Sequence, residues 1–201
     1  MVSRRAEFAA AAVRVIARNG LHAATVRAVA AEAGWSPGAL QKSFTSMDEL
    51  IRAAIELIIE QAGSRMAIAA STGTLTGDIQ AMIEQTLPLD SQRRDESKVW
   101  ASLTIRAVDV PWIAHLLIEQ DRQVIDALAG LLRAAQGTGE ITADSEPVAL
   151  AGALVALADG LAVRLLYDPS ARPAVLAALA VGTEHLLPKG PASPGGRSKP
   201  R

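Results

Sequence analysis

The residues best suited to chemistry lie between Thr25 and Leu50, in TVRAVAAEAGWSPGALQKSFTSMDEL. Thr25 and Ser36 each stand before a short run of helical pattern, where a hydroxyl caps the exposed N–H groups. Pro37 takes the first helical position behind Ser36, where its missing N–H costs nothing. Two short helices joined through AGWS follow the plan of a helix-turn-helix. The spacing turns Val29, Ala33, Leu40 and Phe44 inward. Gly38, Ala39 and Lys42 then face outward, with Gln41 at the flank. Small residues on that face let the helix backbone come close to a groove. Lys42 can reach a phosphate or guanine O6/N7, and Gln41 can pair with adenine N6/N7. The helix N-termini at Thr25 and Ser36 offer phosphate contacts, and Arg4 and Arg27 add charge. The partner this chemistry suits is double-stranded DNA.

The elements that must position these residues are all helical. A first helix runs from the Ser3 cap to Gly20, with Phe8, Ala9, Ala12, Val13 and Ile16 in one arc. A second spans Val26 to Ala33 and ends at Gly34. The third runs from Pro37 to about Phe44. Ser46, followed by Asp48 and Glu49, caps a long fourth helix through Ile51, Ile55, Ile58 and Ile59. Further helices are expected near 78–87, 92–107 and 111–135, with Pro88 and Pro111 at boundaries and Gly137 and Gly139 closing the last. Another, capped by Asp144 or Ser145, continues to about Leu166, and the final one lies between Pro173 and Leu187. The chain divides into residues 1–46, the DNA-reading head, residues 47–188, the body, and residues 189–201, a disordered basic tail.

Composition narrows the function classes. Half of the 201 residues are hydrophobic, which suffices for a sizeable core. Forty are alanine and six aromatic, a balance that favours closely packed helices over strands. The absence of cysteine excludes disulfides, thiolate metal sites and a cysteine nucleophile. The start does not read as a signal peptide, which places the chain in the cytoplasm. The net charge of −1 hides a gradient: residues 1–45 carry +4 and residues 51–189 carry −6. A basic head on an acidic body meets a polyanion with the head alone. His22, His115 and His185 have no partner at metal-ligand spacing, so no metal is expected, and no cofactor. GLLRAAQGTGE lacks the P-loop lysine, Glu119 and Asp121 project from different sides of a helix, and no catalytic set assembles. The chain is not read as an enzyme.

Segment 148–166 carries Leu150, Leu154, Leu157, Leu161 and Leu165 on one stripe, with Ala, Gly and Val around the rest and Asp159 and Arg164 as its charges. The run is short for a membrane span and interrupted by charge, so no membrane partner is expected. Val175, Leu179, Gly182 and Leu186 repeat the theme in the last helix. Two such helices facing their copies would make a four-helix bundle on a two-fold axis, which predicts a homodimer interface at Leu150, Leu154, Leu157, Leu161, Val175, Leu179, Gly182 and Leu186. The bland alternative is a core helix inside one chain.

From Arg4 to Leu57 the chain resembles the N-terminal domain of the tetracycline-repressor (TetR) family of transcriptional regulators. The likeness rests on Asn19-Gly20, Thr25, Ala33-Gly34, Ser36, Gly38, Leu40, Phe44, Ser46 and Asp48-Glu49-Leu50 in that order. Downstream, Trp100, Pro111, Gly139-Glu140 and Asp159-Gly160-Leu161 are similar to the C-terminal domain of the betaine-pathway repressor subgroup. The resemblance implies an all-α fold, with a three-helix helix-turn-helix domain and a C-terminal helical domain for ligand binding and dimerisation. It implies a homodimeric repressor on a palindromic operator, released by a small-molecule effector. In such a domain Trp100, Leu103, Trp112, His115 and Tyr167 are candidate effector contacts, and Asp159 must find a partner or water. Two departures stand out. Gln41-Lys42-Ser43 replaces the aromatic residues usual after the recognition-helix leucine, and Met47 replaces a lysine that clamps phosphate. Lys42, Arg27 or the pair Arg4 and Arg5 must then compensate. A competing reading, a helical dimeric scaffold without DNA affinity, keeps the bundle and discards the head.

Overall fold

The computed structural model describes residues 3–70, 72–188 and 190, which form helices and no strand. The order is α1 (Arg4–Asn19), a 3-10 turn (Leu21–Ala23), α2 (Val26–Glu32), α3 (Pro37–Ser43), α4 (Met47–Ala69), α5 (Leu75–Glu84), α6 (Ser91–Ala107), α7 (Pro111–Thr138), α8 (Pro147–Tyr167), a second 3-10 turn (Pro169–Ala171) and α9 (Arg172–Leu186). The expected tail lies outside the described residues, Gly190 excepted, whose N–H donates to the Glu140 carbonyl.

The first six helices start where a side chain can cap them. Ser3, Thr25, Ser36, Ser46, Thr74 and Asp90 each accept a hydrogen bond from a first-turn backbone N–H. Gly20 and Gly34 have φ of +81° and +74°, so the chain reverses there in a conformation that a Cβ would strain. The last three helices have no such cap. They begin behind Val110, Glu146 and Ala171, with a proline in the first turn. Neither Asp144 nor Ser145 caps α8, because the helix starts behind Glu146, one residue later than a Ser145 cap needs and two later than an Asp144 cap. Gly137 lies inside α7, and Gly139, at φ +79°, ends it.

Three apolar clusters hold the helices together. In the head, Phe8, Ala12, Val29, Leu40 and Phe44 pack with Leu50 and Ala54, so the head's core runs past Ser46 into the first turns of α4. A second cluster joins Ile16 of α1 to Ile51, Ile55 and Ile58 of α4, and on to Val99, Leu103 and Ile113. It clamps the head to the body. The third contains Ile79, Leu132, Leu154, Leu161, Val175 and Leu179 from α5, α7, α8 and α9, with Leu87 from the loop between α5 and α6. Polar ties reinforce the apolar ones. Arg65 of α4 pairs with the buried Glu96 of α6 at 2.5 Å and also donates to the Gln85 carbonyl. Arg94 donates to the carbonyls of Leu165 and Leu166, closing the C-terminal end of α8.

The α8 helix is long and apolar enough to cross a bilayer by length and composition. Leu150, Leu154, Leu157, Leu161 and Leu165 are instead packed into the third cluster.

Candidate nucleic-acid interface

The α3 helix presents the face that the spacing requires. Leu40 is buried against the head's core and Phe44 behind it meets Phe8 edge-on, at 6.3 Å between ring centroids. With those two anchored, Ser36, Pro37, Gly38, Gln41 and Lys42 are exposed and Ala39 is half-buried. A Cβ built on Gly38 would meet nothing within 4 Å, so nothing inside the chain requires a glycine there. Its smallness serves whatever approaches from outside. Ser36 Oγ accepts from the Ala39 N–H at 3.2 Å, and Thr25 Oγ1 from the Ala28 N–H at 3.2 Å. Both cap residues are exposed beside their helix N-termini, where partial positive charge favours a phosphate.

The head's cations fall into two groups. Arg14 and Arg18 converge on Glu32, tying α1 to α2, and hold its carboxyl below the ordinary value. Arg5 donates to the Ser43 carbonyl, pairs with Glu49 at 2.9 Å and lies over the Phe44 ring. Glu49 also accepts from the Thr45 N–H and hydroxyl, and these bonds with that of Arg5 bring its pKa down to about 2. These three arginines tie the head together, and of the group expected to stand in for the missing phosphate clamp Arg5 spends two of its N–H donors on closing the α3–α4 corner. Arg4, Arg27 and Lys42 are exposed and form no ion pair among the described residues. They are the head's available positive charge. Met47, standing where the clamp lysine is usual, packs against the head's core.

Sequence reasoning passed over Trp35. This residue of the turn is exposed, its Nε1–H donates to Glu7 Oε2 at 2.8 Å, and the Arg4 guanidinium lies 4.3 Å from its ring centroid. A large aromatic in a turn that otherwise takes small residues was the available signal.

In the body, the candidate effector contacts do not converge. Trp100, Leu103 and Trp112 belong to the α1–α4–α6–α7 cluster, with Leu103 fully buried and Trp112 under the Arg52 guanidinium at 5.0 Å. Trp112 also lines an open crevice of about 610 Å³, with Leu21, Ile51, Ile105 and Arg106, where the head meets the α6–α7 joint. His115 is exposed on α7. Tyr167 is 73% exposed at the end of α8, away from the tryptophan cluster, because its position in the helical repeat faces outward. Of the five candidate effector contacts, three therefore share one cluster and two lie apart from it.

The residues expected at a homodimer interface are engaged within the chain. Leu154, Leu161, Val175 and Leu179 are buried in the chain's own core, and Leu150, Leu157 and Leu186 pack against it. Gly182 is a contact within the chain, since a Cβ there would come within 2.6 Å of Leu157 Cδ2. Each chain must first close its own core, and the widest leucine stripe is consumed in doing so. What remains outward is a stripe of smaller residues, Ala149, Ala156, Gly160 and Val163 on α8 and Ala174, Ala178 and Val181 on α9, with Tyr167 at its end. Asp159 lies beside that stripe, reached by water but hemmed in by its surroundings. Desolvation and the neighbouring Asp121 carboxylate push its pKa up.

Comparison with known proteins agrees with this geometry. Residues 9–54 match the profile of bacterial regulatory proteins of the tetR family, and residues 76–187 match that of the BetI-type transcriptional repressor C-terminal domain. The chain is 28% identical to the HTH-type transcriptional regulator PksA of Bacillus subtilis over 168 residues, 83% of this chain and 80% of that one. A transcriptional regulator from Rhodococcus sp. Rha1 superposes with a TM-score of 0.80 at 28% identity, covering 92% of this chain and 96% of that one. A Saccharomonospora viridis protein solved in complex with choline superposes with a TM-score of 0.73 at 24% identity, covering 90% and 92%.

Proposed function

The chain belongs to the TetR family of transcriptional regulators, and we propose that it is a repressor that grips a palindromic operator as a homodimer and loosens or tightens on a small-molecule effector. The observation that carries the reading is the bare outer face of α3, with Leu40 locked inward and Gln41 and Lys42 outward. Residues 1–46 serve as the DNA-reading head. Residues 47–188 serve as the effector-binding and dimerising body, and the protein acts in the cytoplasm.

Two copies of α3 in successive major grooves must stand about 34–36 Å apart. The outward apolar stripe of α8 and α9 is the surface that a second copy would cover to set that distance. Its small residues allow close approach of four helices about a two-fold axis. The α4 helix shares its first turns with the head's core and its Arg65 with α6. An effector in the body that moves α4 therefore moves the head, and a differential affinity of about 1–3 kcal/mol between two spacings is enough to switch binding. That a relative of this fold is crystallised with choline supports a small organic effector.

Fluorescence anisotropy with the DNA upstream of the protein's own gene, paired with sedimentation equilibrium, tests the reading. Saturable binding with a dimer at micromolar concentration is expected. A dimer without DNA affinity would return the chain to the scaffold class.

A further inference from the structure

We propose that Trp35 is a positioning residue for DNA binding, holding Arg4 beside the start of α3 as a phosphate contact. The inference rests on the reading that Arg4 touches DNA, and goes beyond it by assigning what places Arg4 there. Trp35 directly precedes Ser36, the cap of the recognition helix, so its backbone position is fixed by the start of that helix. The Arg4 guanidinium is 4.3 Å from the ring centroid. A guanidinium held over an aromatic ring by cation–π attraction spends none of its N–H donors on that contact, and those are the groups that bind phosphate in a bidentate manner.

Glu7 completes the arrangement. It lies one turn after Arg4 on α1, where an i,i+3 ion pair with Arg4 could have formed. Its Oε2 instead accepts from Trp35 Nε1 at 2.8 Å, which fixes the ring plane, and Arg4 forms no ion pair among the described residues. The neighbouring Arg5 shows the opposite arrangement. It too lies over an aromatic ring, that of Phe44, but both of its terminal nitrogens donate within the chain, to Ser43 and Glu49. Of two adjacent arginines, one is built into the fold and the other is stacked with its donors unspent. An ordered cation whose N–H donors are unspent has the properties an anion site needs. Trp35 supplies the order.

The test measures anisotropy on a duplex of the protein's own upstream intergenic DNA across a salt series. Arg4→Ala is expected to weaken binding about 5- to 10-fold and to lower the salt slope by about one. Trp35→Ala and Trp35→Leu should match it, and Arg4→Ala combined with Trp35→Leu should be no worse than either change alone. Trp35→Phe keeps a stacking face and should recover most of the wild-type slope. Trp35→Leu retains bulk, so it carries the test should Trp35→Ala lower stability. Wild-type affinity and slope for Trp35→Leu alongside a weakened Arg4→Ala overturns the positioning role, as does a double variant whose loss is the product of the two. An Arg4→Ala protein that binds like wild type removes the underlying phosphate contact instead.

Discussion

The head and the α8–α9 pair of this protein are organised on different principles. In the head, every helix begins at a hydroxyl cap, two turns reverse at positive-φ glycines, and charged side chains are sorted between ties and free cations. In α8 and α9, the starts carry no side-chain cap, and position is set by leucines locked against α5 and α7. Local chemistry specifies the first region and mutual packing the second. Damage to the two should therefore differ in kind, size and pH dependence.

The largest effect is expected in the packed region. Leu179 is fully buried among α5, α7 and α8, and Leu179→Ala should destabilise the fold by about 2–5 kcal/mol in urea or thermal unfolding. A loss near zero would mean that α9 is not anchored as described. In the head, Lys42→Ala should leave unfolding unchanged and weaken operator binding by about 1–3 kcal/mol if Lys42 reads a base. If it touches phosphate, the salt slope falls by about one. Binding that is unaltered in both respects makes Lys42 a solvated lysine. Removing a cap is smaller still: Ser36→Ala should cost about 1 kcal/mol of stability, seen as a lower midpoint of chemical unfolding.

The smallest expected effects separate the regions by sign. Glu49 is depressed to about 2 from an ordinary 4.5 by Thr45 and Arg5, so its contribution is present above pH 4.5 and fades as the pH falls towards 2. Glu49→Gln should lower the melting temperature at neutral pH, with the gap closing in acid. Asp159 is raised from an ordinary 3.8, so ionising it opposes folding, and stability falls as pH rises through the folded value. Asp159→Asn should raise the melting temperature at neutral pH and lose that advantage on acidification. The same sign for both variants would break the contrast.

The head was legible in the sequence because its determinants are short-range. Ser3, Thr25, Ser36 and Ser46 act within four residues of themselves, and Gly20 and Gly34 act on their own backbone angles. The inward turn of Leu40 and Phe44 follows from helical spacing. Exposure of Gln41 and Lys42 comes with it. The leucine stripe of α8 was equally visible, but its partner was not. Apolar spacing says that a face is covered without saying by what, and Leu154 and Leu179 proved to be covered by their own chain. The same limit applied to Tyr167, whose aromaticity suggested a pocket and whose helical position turned it to solvent.

From the amino-acid order alone follow the helices, the head's charge, the motif and the direction of the recognition face, because each depends on neighbours a few positions away or on the sum of residues. Tertiary structure decided which arginines are spent on carboxylates, that Trp35 carries Arg4, and which face of α8 stays outward. Those outcomes depend on groups far apart in the chain, such as Arg14 with Glu32 and Leu157 with Gly182, that meet only when the helices pack.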